Sequence, residues 1–130
     1  MTIAEKILAK KSGRDRVAAG DLVTVNVDTV VLFDNNFMPS IWQDMLKMEH
    51  PERVVVILDH RVPAPTIQSA GAHRTARKFV EKFGIARFHD VGGTQGICHQ
   101  VVADQGYALP GTVLVCSDSH TCSAGAFNCI

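Results

Sequence analysis

The run Val113-Leu-Val-Cys-Ser-Asp-Ser-His-Thr-Cys122 carries a short apolar stretch straight into a carboxylate, a hydroxyl and an imidazole. A strand of that kind delivers polar side chains to its C-terminal tip, where ligands collect in open parallel sheets. Arg53-Val-Val-Val-Ile-Leu58 repeats the pattern, because it empties into Asp59-His60. His99 follows the glycine turn Gly92-Gly-Thr-Gln-Gly96 and falls in the opening turn of a helix. Asp59, His60, His99, Asp118, Ser119 and His120 are therefore the candidate site residues. A carboxylate that orients an imidazole fixes its tautomer and raises its basicity, as a proton donor to a leaving oxygen requires near neutral pH. Neighbouring side chains on an extended backbone point to opposite faces, so the expected pair is Asp118 with His120 rather than Asp59 with His60.

Plainer roles stand beside these. Asp59 and Asp118 equally suit the capping of the helices that follow, and His60 and His120 suit structural imidazoles. Ser119 lacks the G-x-S-x-G elbow of a hydrolase nucleophile, and the glycine turn lacks both G-x-G-x-x-G and G-K-[ST]. His50 and His73 read as solvated, and His89-Asp90 as a fainter copy of the strand-end pattern. Cys98, Cys116, Cys122 and Cys129 have neither disulfide nor zinc-ribbon spacing and read as reduced thiols.

The elements that must position the site follow from periodicity. Thr2-Ile-Ala-Glu5 is a capping box, and Ile3, Ile7 and Leu8 predict a helix over residues 3–10. Alternation predicts a strand over Leu22–Val27, Asp34-Asn-Asn a turn, and the spacing of Ile41, Trp42, Met45 and Leu46 a helix ending near His50-Pro51. After the strand at residues 54–58, Ala76, Phe79, Val80 and Phe83 mark a helix that Gly84 closes. Ile85–His89 reads as a strand, residues 97–102 as a helix, and the apolar residues from Val113 as the last strand. Ala124–Ile130 reads as the start of an apolar helix without a closing signal, a chain cut off at its C-terminal end. Alternating strands and helices predict an α/β chain, a three-layer α/β/α arrangement over a mainly parallel sheet.

At 130 residues, 46% hydrophobic and 20% charged, the chain has the profile of one globular unit. Thirteen basic and thirteen acidic side chains cancel, so no bulk field favours nucleic acid or an anionic membrane. The longest apolar runs fall far short of a membrane span, and the expected location is cytoplasmic.

Taken together, Leu58-Asp-His60, Gly96-Ile-Cys-His-Gln100, Leu109-Pro-Gly111 and Cys116-Ser-Asp-Ser-His-Thr121 with Gly125-Ala-Phe127 resemble the N-terminal part of the large subunit of the aconitase and 3-isopropylmalate dehydratase family. The likeness begins at Thr2-Ile-Ala-Glu-Lys-Ile-Leu and spans nearly the whole chain, which makes residues 1–130 a single partial aconitase-like domain. It implies an iron–sulfur hydro-lyase that removes and re-adds water on a hydroxy di- or tricarboxylic acid, with a [4Fe-4S] cluster in the complete protein. By that likeness His60 protonates the departing hydroxyl and Asp59 belongs to its hydrogen-bond network. His99 joins the polar shell, Asp118 and His120 form a second pair, and Ser119 holds a substrate carboxylate. The implied partners are the small hydroxy acid, the remaining C-terminal domains and a separate small, swivelling subunit. The Cys-Ser-Asp-Ser-His-Thr-Cys form is closer to isopropylmalate dehydratases, enzymes of leucine biosynthesis, than to mitochondrial aconitases.

Two departures stand out. Many relatives have Gln-Asp-x-Thr where this chain reads Phe33-Asp-Asn-Asn36, so a substrate-contacting glutamine is missing. The family's cluster cysteines match none of the four present here, so no metal ligand is expected within this chain and the 130 residues alone are expected to be inactive. The competing readings are a non-catalytic carboxylate-binding or subunit-assembly domain, and a mononuclear metal hydrolase built on His60, His99, His120 and Asp118.

Overall fold

Helix α1 (Ile3–Ser12) begins where the Thr2 hydroxyl accepts from the Glu5 N–H while the Glu5 carboxylate accepts from the Thr2 N–H. It ends on Gly13 in the left-handed conformation, at φ 70°. The computed structural model describes residues 1–130, and its centre is a four-stranded sheet of β1 (Thr29–Phe33), β2 (Val54–Ile57), β3 (Arg87–His89) and β4 (Leu114–Cys116). Every pairing is parallel, in the order β3-β2-β1-β4. β2 is buried at every position, as expected of a strand covered on both faces.

Helices cover the two faces. α2 (Ile67–Phe83) sets Ala72, Ala76 and Phe79 against Val54, Val56 and Leu58 on one side. α3 (Cys98–Asp104) sets Cys98, Val101 and Val102 against Val31, Val55 and Ile57 on the other. The three-layer α/β/α arrangement read from the alternation of elements is thus the one observed. α2 is capped by the Thr66 hydroxyl, which accepts from the Ser69 N–H, and closed by Gly84 at φ 62°.

Phe79 carries much of the α2 layer. Its ring lies 5.5 Å from Phe37, 5.1 Å from Trp42 and 5.1 Å from Phe83, and only 3% of the residue is exposed. Truncation leaves a void that such an interlocked cluster cannot close. Phe79→Ala should therefore lower the unfolding free energy by about 3–5 kcal/mol in urea titrations.

Three local expectations fail. Residues 22–27 form no strand: they run extended but unpaired, held by a bond from the Asn26 N–H to Lys11 O (3.2 Å) and by Arg14 on Leu22 O. Alternation specifies which face is apolar, yet a strand also needs a ladder partner, and β1 is already flanked on both sides. No helix forms over residues 41–50 either. Of its supposed stripe, Trp42 packs on Phe37 and Phe79, whereas Ile41, Met45 and Leu46 stay exposed, so an isolated helix would gain little burial. The last segment is not the opening of an apolar α-helix: a 3₁₀-helix covers Thr121–Phe127 and stops at Asn128, which is left-handed at φ 55°. The turn expected at Asp34-Asn-Asn is likewise a 3₁₀-helix, Asp34–Phe37.

Candidate active site

Strand order decides where the site lies. The chain passes from β1 to β2 to β3 on one side and returns with β4 on the other, so the order reverses at β1 and leaves a crevice beyond the strand tips there. Asp34 follows β1, Asp59 and His60 follow β2, His99 opens the helix reached from β3, and Asp118 to His120 follow β4. A hollow of about 430 Å³ is lined by Asp59, His60, Ile97, His99, Asp118, His120 and Ser123. A second groove, about 420 Å³, runs past Trp42, Lys78 and Phe83 on the α2 layer and gathers no histidine.

Asp118 is the hub. Its Oδ1 accepts from the His120 N–H (2.8 Å) and faces His99 Nε2 at 2.6 Å, while its Oδ2 faces His60 Nε2 at 3.0 Å. His120 Nδ1 lies 3.4 Å from the same Oδ1. The carboxylate is only 7% exposed, and the backbone N–H of His120, then His99 and His60, hold its pKa well below the usual carboxylate range.

Asp59 holds the other side of His60. Its Oδ1 lies 2.6 Å from His60 Nδ1, and its Oδ2 accepts from the Cys98 N–H at 2.7 Å, capping the first residue of α3. Capping and imidazole orientation thus coexist in one carboxylate. Burial alone would lower the pKa of His60, but the Asp59 and Asp118 carboxylates outweigh it and raise the value. With an acceptor at each ring nitrogen, the geometry is satisfied in full only by the doubly protonated imidazolium. The Phe33 ring beneath it, 4.6 Å between centroids, fixes its plane.

The pairing differs from expectation. Asp59 does pair with His60, because β2 ends at Ile57 and the alternation of faces no longer applies two residues later. His120 meets Asp118 mainly through its backbone N–H, leaving its side chain 81% exposed at the rim. Ser119 is exposed and outside the lining of the hollow, its hydroxyl 3.2 Å from His120 Nδ1. His89 is buried and bonded to Tyr107 Oη (3.0 Å), away from the hollow. His73, expected in solvent, is 4% exposed. An α2 face that looks polar in sequence is covered where it meets Asp34, 3.6 Å from His73 Nε2.

Sequence reasoning missed two positions. Asp34 is fully buried and accepts from the His60 and Arg61 N–H groups; its signal was the same apolar strand ending in Asp that marks Asp59 and Asp118. Asn36 ties the tips of β1 and β4, accepting from the Phe33 N–H and donating to Ser117 Oγ at 2.8 Å. Nothing in its local sequence announces a bond across 81 residues.

The ligand atoms of His99, Asp118 and His120 lie within 4.8 Å of one another, as do those of Asp34, Asp59 and His60. The donor types are those of a divalent cation site of the zinc or iron class, but in the second set both His60 nitrogens and both Asp34 oxygens are already taken up by hydrogen bonds. An iron–sulfur cluster is different, since it needs converging thiolates. Cys98 and Cys129 are buried in the apolar core, Cys116 packs against it, Cys122 is exposed, and none of the four lines the hollow, so the thiols of this chain do not fit such a cluster. The hydrogen bond with the neighbouring Cys116 thiol, and then burial, push the Cys98 thiol up, away from the thiolate that a ligand must be, while the same bond draws Cys116 down.

Gly96 sets the approach of the glycine turn to α3. A Cβ there would meet Val101 Cγ2 at 2.8 Å, and a β-branched side chain in a helix has little rotamer freedom to yield. Gly96→Ala should cost about 1–3 kcal/mol of stability by thermal or urea unfolding and displace the turn carrying Ile97 into the hollow.

Comparison with known proteins agrees with the strand-tip motifs. The family model described as "Aconitase family (aconitate hydratase)" matches residues 5–130. The chain is 52% identical over 128 residues to the 3-isopropylmalate dehydratase large subunit of Mycolicibacterium smegmatis, covering 98% of this chain and 30% of that protein. It is 44% identical to the probable 3-isopropylmalate dehydratase large subunit of Methanothermobacter thermautotrophicus, over 97% of this chain and 30% of the relative. To the methanogen homoaconitase large subunit of Methanocaldococcus jannaschii it is 41% identical, over 98% and 30%. The chain therefore spans about 30% of the length of the curated relatives it matches. A family match running through all four strand tips, and so through every residue of the crevice, means that the chain belongs to the aconitase family.

Proposed function

We propose that this chain supplies the acid–base wall of a hydro-lyase of the 3-isopropylmalate dehydratase type, acting on a hydroxy di- or tricarboxylic acid. The observation that carries the reading is His60, held between Asp59 and Asp118 at the rim of a hollow. Hydroxide is a poor leaving group, and an imidazolium beside the departing oxygen neutralises the charge that develops on it. In the hydration direction the same ring takes a proton from the attacking water. Asp59 and Asp118 keep the ring oriented and charged, His99 completes the polar wall, and His120 with Ser119 at the rim meets a substrate carboxylate.

The family likeness supports a [4Fe-4S] cluster in the complete protein, on thiolates other than Cys98, Cys116, Cys122 and Cys129. Residues 1–130 alone are accordingly inactive under this reading. The relatives' designation as large subunits supports a small-subunit partner. No helix is long and apolar enough to cross a membrane.

The test is turnover by the complete protein assembled with its small subunit. Conversion of 3-isopropylmalate to the unsaturated diacid, followed by absorbance, is expected to exceed the rate on homoaconitate. Preference for homoaconitate would move the assignment to the homoaconitase branch, and absence of both reactions would refute the hydro-lyase reading.

A further inference from the structure

Asp34 has no solvent contact, and its oxygens do not serve its own 3₁₀-helix: Oδ1 accepts from the His60 N–H at 3.3 Å and Oδ2 from the Arg61 N–H at 2.5 Å. The partners lie 26 and 27 residues away in sequence, so the carboxylate ties the tip of β1 to the turn beyond β2. Arg61 strengthens the tie by donating from Nε to Asn35 Oδ1 at 2.6 Å. Behind Asp34 stands His73 of α2, 4% exposed, whose Nε2 is buried without any hydrogen-bond partner and lies 3.6 Å from Asp34 Oδ2.

A carboxylate fully buried where the 3₁₀-helix Asp34–Phe37 packs on α2 is costly unless donors and positive potential surround it. Two backbone N–H groups supply part of that; of the two imidazole nitrogens near its oxygens, His60 Nδ1 at 3.9 Å is already engaged by Asp59, which leaves His73 Nε2 at 3.6 Å as the one without another partner. An imidazole placed with its unpartnered nitrogen toward a buried carboxylate has no other evident use in the core. From this geometry we infer that Asp34 and His73 are a buried positioning pair, which sets the backbone of the Asp59-His60-Arg61 turn and so aims the His60 ring between Asp59 and Asp118. Neither residue lines the hollow, and Asp34 reaches His60 through its backbone N–H, with the ring nitrogen Nδ1 further off at 3.9 Å. Their importance for catalysis rests on the hydro-lyase reading, whereas the positioning itself does not.

The test uses the 130-residue chain and no substrate. In the wild type, the ring protons of His60 are displaced upfield by the Phe33 ring stacked 4.6 Å away, and the Arg61 amide is protected from hydrogen exchange. An asparagine keeps the shape of Asp34 but offers one acceptor where two donors need one each. Asp34→Asn is expected to return the His60 ring protons toward unstacked values and to speed exchange of the Arg61 amide at least about tenfold. His73→Leu should do the same, while His73→Gln, whose amide nitrogen replaces Nε2, should keep the wild-type signals. A merely structural role would lower the melting temperature in all three variants without separating leucine from glutamine.

If folded Asp34→Asn or folded His73→Leu leaves the His60 signals where they were, the pair is overturned. If Asp34→Asn does not fold, the contrast between leucine and glutamine at residue 73 decides: a His60 shift with leucine alone supports the pair, and its absence overturns it. Because none of these signals involves turnover, failure here leaves the hydro-lyase reading standing, and failure of that reading leaves these signals unaffected.

Discussion

On the proposed hydro-lyase reading, His60→Gln in the complete protein is expected to lower kcat by about 10²–10⁴-fold, with kcat/KM falling by the same factor. Glutamine can hold a hydrogen bond in the crevice but cannot deliver a proton, so only the transition state loses an interaction. The ring sits where Asp59 Oδ1 at 2.6 Å and Asp118 Oδ2 at 3.0 Å maintain its charge. Removal of the acid should also flatten the limb of the pH–rate profile on which activity falls as pH rises through the raised pKa of His60. Steady-state kinetics across pH in the dehydration direction check both parts. A variant with normal kcat and a higher KM would instead make His60 a substrate-binding residue.

Asp118→Asn has the second large effect, because one carboxylate serves His60, His99 and the His120 N–H together. An amide presents a single acceptor oxygen, and its NH₂ faces a nitrogen that also donates. Activity is expected to fall at least about 10²-fold, as when the orienting carboxylate of a catalytic histidine is lost. Stability also changes, with a sign that depends on pH. The pKa of Asp118 is lowered from 3.8 by the His120 N–H first, then His99 and His60; its contribution is present above 3.8 and is lost as pH falls through the depressed value. His60 is raised from 6.5, so its share is full below 6.5 and is lost as pH rises through the raised value. The stability advantage of the wild type over Asp118→Asn should therefore be greatest between about 3.8 and 6.5 and shrink on both sides. Urea unfolding of both chains across that range measures it. Asp90, lowered chiefly by Arg77, has the acid-side sign too, but it is common to both chains and cancels in the difference.

The strand tips were readable because two signals coincide there. A buried parallel strand is a short apolar run, and the polar residues that follow it stand at the carboxyl edge whatever their role. That placed Asp59, His60, Asp118 and His120 near one crevice and gave the α/β class. Pairing within the crevice was not readable, since the alternation of faces stops where β2 stops, at Ile57, and the turn beyond it swings Asp59 and His60 together. Nor could local pattern reveal that His73 is covered, because its neighbours Arg74 and Arg77 are exposed and its partner Asp34 lies 39 positions back. The failures at residues 22–27 and 41–50 share one cause: apolar periodicity says which side could be buried, and the remainder of the fold decides whether anything covers it. Where a local signal was self-sufficient, as with the Thr2 and Glu5 capping box or the closing Gly84, the expected element formed.

The convergence of three imidazoles on the Asp118 carboxylate is the point from which the rest follows, and nuclear magnetic resonance of the ¹⁵N-histidine-labelled chain reads it directly. The structure predicts imidazole N–H protons far downfield for His60 and His99, both bonded to Asp118, together with ring-to-ring cross-relaxation between His99 and His120, whose centroids are 6.2 Å apart. Histidine spectra in which His60, His99 and His120 each behave as an isolated, solvent-exchanging ring would contradict it.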